Sequence, residues 1–154
     1  MRIEEFLQLA NVIIDLQAHR KEDILEELAR RAGAGLHRDW QTLLKAMYAR
    51  EALGTTGVGD GIAIPHVRLD GIDRPFGILA RLKRPIEFEA VDAKPVDILF
   101  FLVLPHMVPR GEQLSALACV ARRLREQNTV GAIRRAPDAE TAYHAIVSPS
   151  RRSL

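Results

Sequence analysis

The residues with the clearest chemical potential form one segment, Gly-Thr-Thr-Gly-Val-Gly-Asp-Gly-Ile-Ala-Ile-Pro-His at 54–66. Glycines permit positive φ and let a backbone approach an anion closely. Proline fixes its own φ and favours an extended conformation in the residue before it. We therefore expect His66 to leave a stiff backbone at the end of a short strand, with its imidazole open to solvent or to a partner. A nucleophilic histidine beside such a loop could hold a phosphoryl group.

The spacing of the loop glycines excludes two familiar nucleotide sites. No Lys-Ser/Thr pair ends the loop, as a P-loop requires. Gly57, Gly59 and Gly61 do not form G-x-G-x-x-G, and a predicted helix rather than a strand precedes them. The residues alone leave two interpretations open, a cradle for an anion or a tight connection that needs glycine for its backbone conformation.

A second histidine repeats the local pattern of the first. His106 follows Pro105 at the end of a long apolar run, so two strand ends could bring His66 and His106 close together. No two histidines have the close spacing of metal ligands, and the single cysteine supplies no partner, so we expect no metal site. The other three histidines are predicted to lie at the surface: His19, His37 and His144.

Helical and extended patterns alternate along the chain. Predicted strands are residues 12–17, 62–64, 76–83 and 96–104, and predicted helices are 21–31, 39–51, 111–127, 129–135 and 138–147. Gly33 and Gly35 are expected to end the first helix, and Pro85 is expected to end the third strand. The fold class this predicts is α/β, a mixed β-sheet sandwiched between α-helices in one domain over 1–154, with a loose tail from about 148.

Composition narrows the class of protein further. Apolar residues make up 47% and charged residues 27% of the 154, which is typical of a globular chain. The longest apolar run, 98–104, is too short to cross a bilayer, and no secretory pattern is present, so we expect a cytoplasmic protein without membrane insertion. Several arginines suggest either a nucleic-acid patch or a solvated helix face, and scarce aromatics favour the second. They are Arg122, Arg123, Arg125, Arg134, Arg135, Arg151 and Arg152.

A longer stretch around the loop resembles a known family. Residues 50–66, Arg-Glu-Ala-Leu-Gly-Thr-Thr-Gly-Val-Gly-Asp-Gly-Ile-Ala-Ile-Pro-His, are similar to the active-site signature of the type-2 enzyme IIA domains of the bacterial phosphotransferase system. These include fructose- and mannitol-class domains and nitrogen-related regulators. The similarity continues through 85–92, 95–100 and 114–124, and the spelling of 54–61 together with Arg68 resembles the regulators more.

The resemblance implies a specific chemistry. His66 would be phosphorylated by a histidine-phosphocarrier protein (HPr- or NPr-like), with phosphoenolpyruvate as the ultimate source and no cofactor. Arg50 would stabilise the phosphoryl group, and the Thr56 hydroxyl would hydrogen-bond that group or orient the ring. Both roles suit phosphoryl transfer, which needs mainly alignment and charge stabilisation.

Two positions depart from the family pattern. Family members usually carry a second active-site histidine where this chain has Gln113, which can donate a hydrogen bond but brings no positive charge. His106 could take that place in space. A glycine commonly follows the active histidine, whereas here Val67 does, and its bulk could alter docking of the carrier.

The resemblance leaves three functions open. The first is a free-standing regulator whose phosphorylation state changes which proteins it binds, with a potassium transporter or a sensor kinase as candidate targets. The second is a sugar-specific IIA component that passes the phosphoryl group to a IIB protein. The third is a binding module with a relict site.

Overall fold

The computed structural model describes residues 1–107 and 110–148, with the side chains of 110–114 left outside that description. Its strands are β1 (Val12–Leu16), β2 (Gly57–Gly59), β3 (Ile62–Ala63), β4 (His66–Leu69), β5 (Phe76–Ile86) and β6 (Val96–Pro105). Its α-helices are α1 (Lys21–Leu36), α2 (Trp40–Ala52), α3 (Arg110–Arg123), α4 (Gln127–Arg135) and α5 (Ala139–Val147). Two 3₁₀ turns, Ile3–Glu5 and Leu9–Asn11, precede β1.

The six strands form one mixed sheet in the order β1-β5-β6-β3-β2, with β4 also paired to β6. The central strand β6 runs antiparallel to β5 and parallel to β3 and β4. Its residues from Ile98 to Val103 are fully buried, because helices cover both faces of the sheet. The predicted mixed sheet between two helical layers is confirmed.

Alternate residues of β6 enter two separate cores. Phe100 and Leu102 pack with Val120 of α3 and Ile133 of α4, in a core that α5 also lines. Leu99, Phe101 and Val103 face the opposite core, which α1 and α2 complete. The sheet therefore fixes α2 on the opposite side from α3.

The prediction that glycines end α1 is wrong. The helix continues through Gly33 and Gly35 and ends before His37, which adopts the left-handed conformation with φ of 56°. A Cβ at position 35 would lie 2.8 Å from the ring of Phe76. Glycine at that position therefore permits close packing of α1 against β5 and does not terminate the helix.

The prediction that Pro85 ends the third strand is also wrong. β5 continues to Ile86, and the register between β5 and β6 shifts between Arg81 and Ile86. An exposed proline is tolerated there, because its position needs no ladder N–H.

Helix starts followed the side-chain signals closely. The Asp39 carboxylate accepts from the backbone N–H of Thr42 at 3.2 Å, and Asp138 accepts from that of Thr141 at 2.8 Å. The predicted helix 111–127 is shorter than expected, because α3 ends at Arg123 and α4 begins at Gln127.

Two of the arginines that suggested a nucleic-acid patch are engaged within the fold. Arg123 donates from Nε to the Ile146 carbonyl at 2.9 Å, and Arg134 binds both oxygens of Asp97 at 2.8 Å. Arg151 and Arg152, like the predicted tail beyond residue 148, lie outside the described residues. Among the residues that are described, no helix is long and apolar enough to cross a membrane.

Candidate functional site

His66 begins a strand, whereas the sequence predicted that it would follow one. β3 ends at Ala63, and β4 starts at His66 opposite Leu102 of β6. Pro65 interrupts the edge because it has no N–H to donate, but its carbonyl accepts from Leu102 N at 2.9 Å. The backbone of His66 is thus fixed against the central strand, and its side chain is partly buried.

Both ring nitrogens of His66 have a partner. Nδ1 lies 2.9 Å from the backbone carbonyl oxygen of Ile64, which can only accept, so Nδ1 carries the hydrogen. Nε2 lies 3.3 Å from Nε of Arg50, which can only donate, so Nε2 presents its lone pair. These two partners together select the neutral imidazole with Nε2 as the nucleophilic nitrogen.

The surroundings favour the same neutral form. Burial lowers the pKa of His66 below 6.5, and the positive charge of Arg50 lowers it further. The Ile64 carbonyl and the Glu51 charge act in the opposite direction on this pKa without reversing it. These effects favour the neutral imidazole of His66, the form that a nucleophilic histidine needs.

Arg50 reaches the histidine from the last turn of α2. Its Nη1 donates to the carbonyl of Gly54 at 2.8 Å, which orients the guanidinium across the loop. Among the described residues Nη2 has no hydrogen-bond partner, so this side chain retains donors for an anion. The structure thus brings Arg50 and His66 into direct contact.

The Thr56 hydroxyl is bound to Glu51 and not to the His66 ring. The side chain is buried, and its hydroxyl donates to the carboxylate of Glu51. The backbone carbonyl of Thr56 accepts from Ile64 N at 3.0 Å. Thr56 therefore contacts the histidine indirectly, through the residue whose carbonyl binds Nδ1.

Sequence reasoning overlooked Glu51 and Lys21. Glu51 accepts from Lys21 Nζ at 3.0 Å and from Thr56 N at 3.1 Å, and its side chain is only 8% exposed. A charged residue directly after Arg50 within the 50–66 segment was the available signal. Lys21 gave none, because it lies far away in the sequence at the start of α1.

The three glycines lie in the β2–β3 hairpin, whose turn is away from the histidine. Gly57 pairs with Ala63, and a Cβ there would lie 2.8 Å from that of Ala90. Gly61 has φ of 83° in the turn, and its carbonyl binds the N–H of Ile98. Ile98 precedes Leu102, the partner of His66, by four residues, which is about 13 Å of strand. The structure supplies a backbone reason for these glycines and places Gly59 and Gly61 away from the ring.

The structure also separates the two Pro-His histidines. His106 N donates to the Leu69 carbonyl at the far end of β4, and its ring lies 3.9 Å from Asp70. It sits four residues beyond Leu102, about 13 Å along β6 from the position of His66. Within the described part of the chain, His106 therefore does not take the place of a second active-site histidine.

The two departures from the family pattern, Gln113 and Val67, have different outcomes. The side chain of Gln113 lies outside the described residues. Val67 is 5% exposed and packs in the core beneath α1 and α2. Its bulk is directed into the protein, since successive residues of a strand face opposite sides and His66 faces the other way.

Three large apolar side chains are exposed after α2 and around the glycine hairpin. Leu53 follows α2 and is 86% exposed, Val58 lies in β2, and Val91 is 72% exposed. Val91 is fixed to the hairpin because its N–H donates to the Gly57 carbonyl at 3.1 Å. They leave apolar surface available beside Arg50 and the glycine hairpin.

The chain matches a known protein family over most of its length. The family model described as "Phosphoenolpyruvate-dependent sugar phosphotransferase system, EIIA 2" matches residues 5–148. The chain belongs to this family. The resemblance seen in the 50–66 segment is thereby confirmed, and an EIIA 2 domain accounts for nearly the whole sequence.

Relatives within the EIIA 2 family carry a regulatory name. A curated "Nitrogen regulatory protein" of Bradyrhizobium diazoefficiens is 36% identical over 149 residues, covering 97% of both chains. The crystal structure of nitrogen regulatory protein IIA-Ntr from Neisseria meningitidis matches with a TM-score of 0.88 at 29% identity, covering 94% of this chain and 98% of that one.

A more distant structure shares the fold. The mannitol enzyme IIA of Escherichia coli, solved in complex with its phosphorylated enzyme IIB, matches with a TM-score of 0.75 at 13% identity. It covers 93% of this chain and 98% of that chain. A phosphotransferase-system IIA domain is thus established for this chain by family and by fold.

Proposed function

We propose that Nε2 of His66 accepts a phosphoryl group from a histidine-phosphocarrier protein, and that the phosphorylated state changes which proteins this chain binds. The observation that carries the proposal is the pair of contacts on the ring, Ile64 O at Nδ1 and Arg50 Nε at Nε2. One nitrogen is held as a donor, which leaves the other as the only lone pair that can attack phosphorus.

The transfer step uses both contacts. The Nε2 lone pair forms a bond to phosphorus as the N–P bond of the carrier's phosphohistidine breaks, and that electron pair returns to the carrier's ring. The His66 ring gains positive charge during attack, and the Ile64 carbonyl stabilises it by accepting from Nδ1–H. Arg50 must release Nε2 and turn its donors to the phosphoryl oxygens.

An exposed apolar side chain next to Arg50 supports docking of a protein donor. Leu53 follows α2 three residues after Arg50 and is 86% exposed. Large exposed apolar groups near a reactive group are typical of protein interaction surfaces. A carrier protein that covers Leu53 would present its phosphohistidine to Nε2.

The regulatory output rests on the relatives. A chain matched over 97% of both lengths is named a nitrogen regulatory protein, which favours a free-standing regulator. Phosphorylation adds about two negative charges at one surface, enough to create or abolish an interface. A potassium transporter and a sensor kinase remain the proposed classes of target.

The sugar-specific alternative keeps one supporting observation. The mannitol IIA of the same fold was solved with a phosphorylated IIB partner. Phosphoryl transfer from this chain to a IIB cysteine in a reconstituted relay would favour that alternative over the regulator. The contacts of His66 favour both over a relict binding module.

Incubation with phosphoenolpyruvate and the general carrier proteins tests the proposal. We expect rapid formation of an acid-labile phosphoprotein, with ¹⁵N and ³¹P NMR placing phosphorus on Nε2 of His66. His66→Ala should stay unmodified, and His106→Ala is the matched control. An unphosphorylated wild-type protein, or phosphate on Nδ1, would contradict the mechanism.

A further inference from the structure

We propose that Glu51, anchored by Lys21, is a positioning residue that holds the His66 ring in its Nδ1–H tautomer through Thr56 and Ile64. The inference rests on the proposed function, because it explains how Nε2 is kept as the attacking nitrogen. It assigns a purpose to a buried charged pair that the transfer step itself does not use.

The first link is the anchoring of Glu51. Its Oε2 accepts from Lys21 Nζ at 3.0 Å, and the two side chains are 8% and 14% exposed. Lys21 in turn lies over the ring of Phe88, with Nζ 4.5 Å from the centroid. The carboxylate is thus fixed between the start of α1 and the end of α2.

The second link joins Glu51 to the loop. Thr56 donates twice to the same carboxylate, from its backbone N–H to Oε2 at 3.1 Å and from its hydroxyl to Oε1. Two donors from one residue to one carboxylate fix the position of that residue's peptide groups. The loop backbone at Thr56 therefore follows Glu51.

The third link carries this position to the histidine. Ile64 lies between β3 and β4, outside both ladders, and its N–H donates to the Thr56 carbonyl at 3.0 Å. The Ile64 carbonyl then accepts from Nδ1 of His66 at 2.9 Å. The hydrogen bond that selects the tautomer thus depends on a residue that Thr56 holds in place.

The burial of this pair argues for a positioning role. Replacing a buried ion pair with apolar residues often leaves stability unchanged or improves it, so such a pair is weak support for a purely stabilising purpose. Here every oxygen of Glu51 is used, and the chain of contacts leads to the ring of His66. Removing the carboxylate should loosen Thr56 and allow Ile64 to retract its carbonyl.

The test compares Glu51→Ala with Glu27→Ala. Glu27 is also a helical glutamate paired to a cation, Arg31 at 2.8 Å, but on an exposed face of α1. We expect ¹⁵N imidazole NMR to show the Nδ1–H form in wild type and in Glu27→Ala, and a mixture of tautomers in Glu51→Ala. The rate of phosphorylation should fall about tenfold in Glu51→Ala, the lower end of what loss of an orienting partner costs.

A conservative variant separates geometry from charge. In Glu51→Gln combined with Lys21→Met, the amide oxygen can still accept from Thr56 N and the amide nitrogen can donate to its hydroxyl. We expect this double variant to restore the Nδ1–H form. A merely structural role would change the melting temperature of Glu51→Ala and leave its tautomer as in wild type, and that result would overturn the proposal.

Two further variants keep the proposal testable if Glu51→Ala does not fold. Lys21→Met frees one side of the carboxylate, and Thr56→Val removes one of the two Thr56 donors. A second tautomer in either variant supports the proposal, and an unchanged Nδ1–H form in both overturns it. A wild-type protein that is not phosphorylated would refute the proposed function alone, since the tautomer is measured without any carrier.

Discussion

The dipeptide Pro-His occurs twice beside β6, at Pro65-His66 and at Pro105-His106. The first ring is partly buried and has a partner on each nitrogen, at 2.9 and 3.3 Å. The second side chain is 54% exposed, and its ring lies 3.9 Å from the exposed carboxylate of Asp70. The same dipeptide thus lies in two different environments, because the end of α2 and the 54–57 loop pack only beside Pro65-His66.

The strongest test of this contrast replaces each ring. We expect His66→Ala to abolish phosphorylation by the carrier proteins, because it removes the Nε2 lone pair that attacks phosphorus in the proposed transfer. His106→Ala should be phosphorylated at the wild-type rate, as measured by acid-labile incorporation from phosphoenolpyruvate. A large loss in His106→Ala would refute the separation of the two histidines.

The next largest effect should come from the cation that distinguishes the sites. Arg50→Ala should slow phosphorylation about a hundredfold, since one charged donor to the transferring group is lost. Arg50→Lys should recover part of that rate, because charge returns without the fork of donors. Stopped-flow or rapid-quench kinetics would measure both.

Arg68 is the matched control for that experiment. It lies two residues after His66 on β4 and is exposed. The charge of Arg68 lowers the pKa of His66 less than the charge of Arg50 does. We expect Arg68→Ala to affect the rate less than Arg50→Ala. A larger loss of rate in Arg68→Ala than in Arg50→Ala would contradict the role assigned to Arg50.

A smaller effect should appear in the pH dependence. Because burial lowers the pKa of His66 below 6.5, the ring should remain neutral and reactive as pH falls through 6.5. Below 6.5 the unfolded chain binds a proton that the folded site resists, so the free energy of unfolding should decrease until pH passes the folded pKa. Above 6.5 both states are neutral and this contribution vanishes.

NMR titration of His66 and denaturation of wild type against His66→Gln would measure these two effects. The glutamine variant should have a smaller loss of stability between pH 6.5 and 5. A His66 pKa above 6.5, or the same slope in both proteins, would contradict the account of its burial.

The smallest effect on transfer is expected at the hairpin. Gly61 has φ of 83°, and a Cβ there would lie 2.8 Å from Asp97 Oδ1. Gly61→Ala should lower the free energy of unfolding by about 1–2 kcal/mol, the typical cost of a left-handed alanine. Its rate of phosphorylation, measured well below its melting temperature, should be unchanged. A large loss of rate would indicate that Gly61 does contact the phosphoryl group.

The sequence predicted the elements whose formation depends on residues close together in the chain. The apolar run of β6 and the caps Asp39 and Asp138 follow from short stretches of residues. Gly35 lies within α1, where Phe76 packs against it. The residues around Gly35 in the sequence do not predict that contact. Likewise, the distance between His66 and His106 depends on the register of β4 against β6, which a sequence pattern does not contain.

The candidate site was also predicted only in part. The 50–66 segment pointed to His66, Arg50 and Thr56, but the direction of the Thr56 hydroxyl depends on Glu51. Glu51 in turn meets Lys21 only because α1 and α2 pack side by side. Contacts between residues 30 positions apart are decided by tertiary structure, so this part of the site was beyond the sequence.

The hydrogen bond from Arg50 to Nε2 means that the resting site is closed by its own cation. In the proposed transfer, the incoming phosphoryl group would displace that guanidinium before attack, and the displaced group would become the counter-ion of the phosphohistidine. Phosphorylation and dephosphorylation of His66 would then be coupled to one side-chain rotation at the end of α2. A protein that distinguishes the two states would need to sense only that rotation and the added charge.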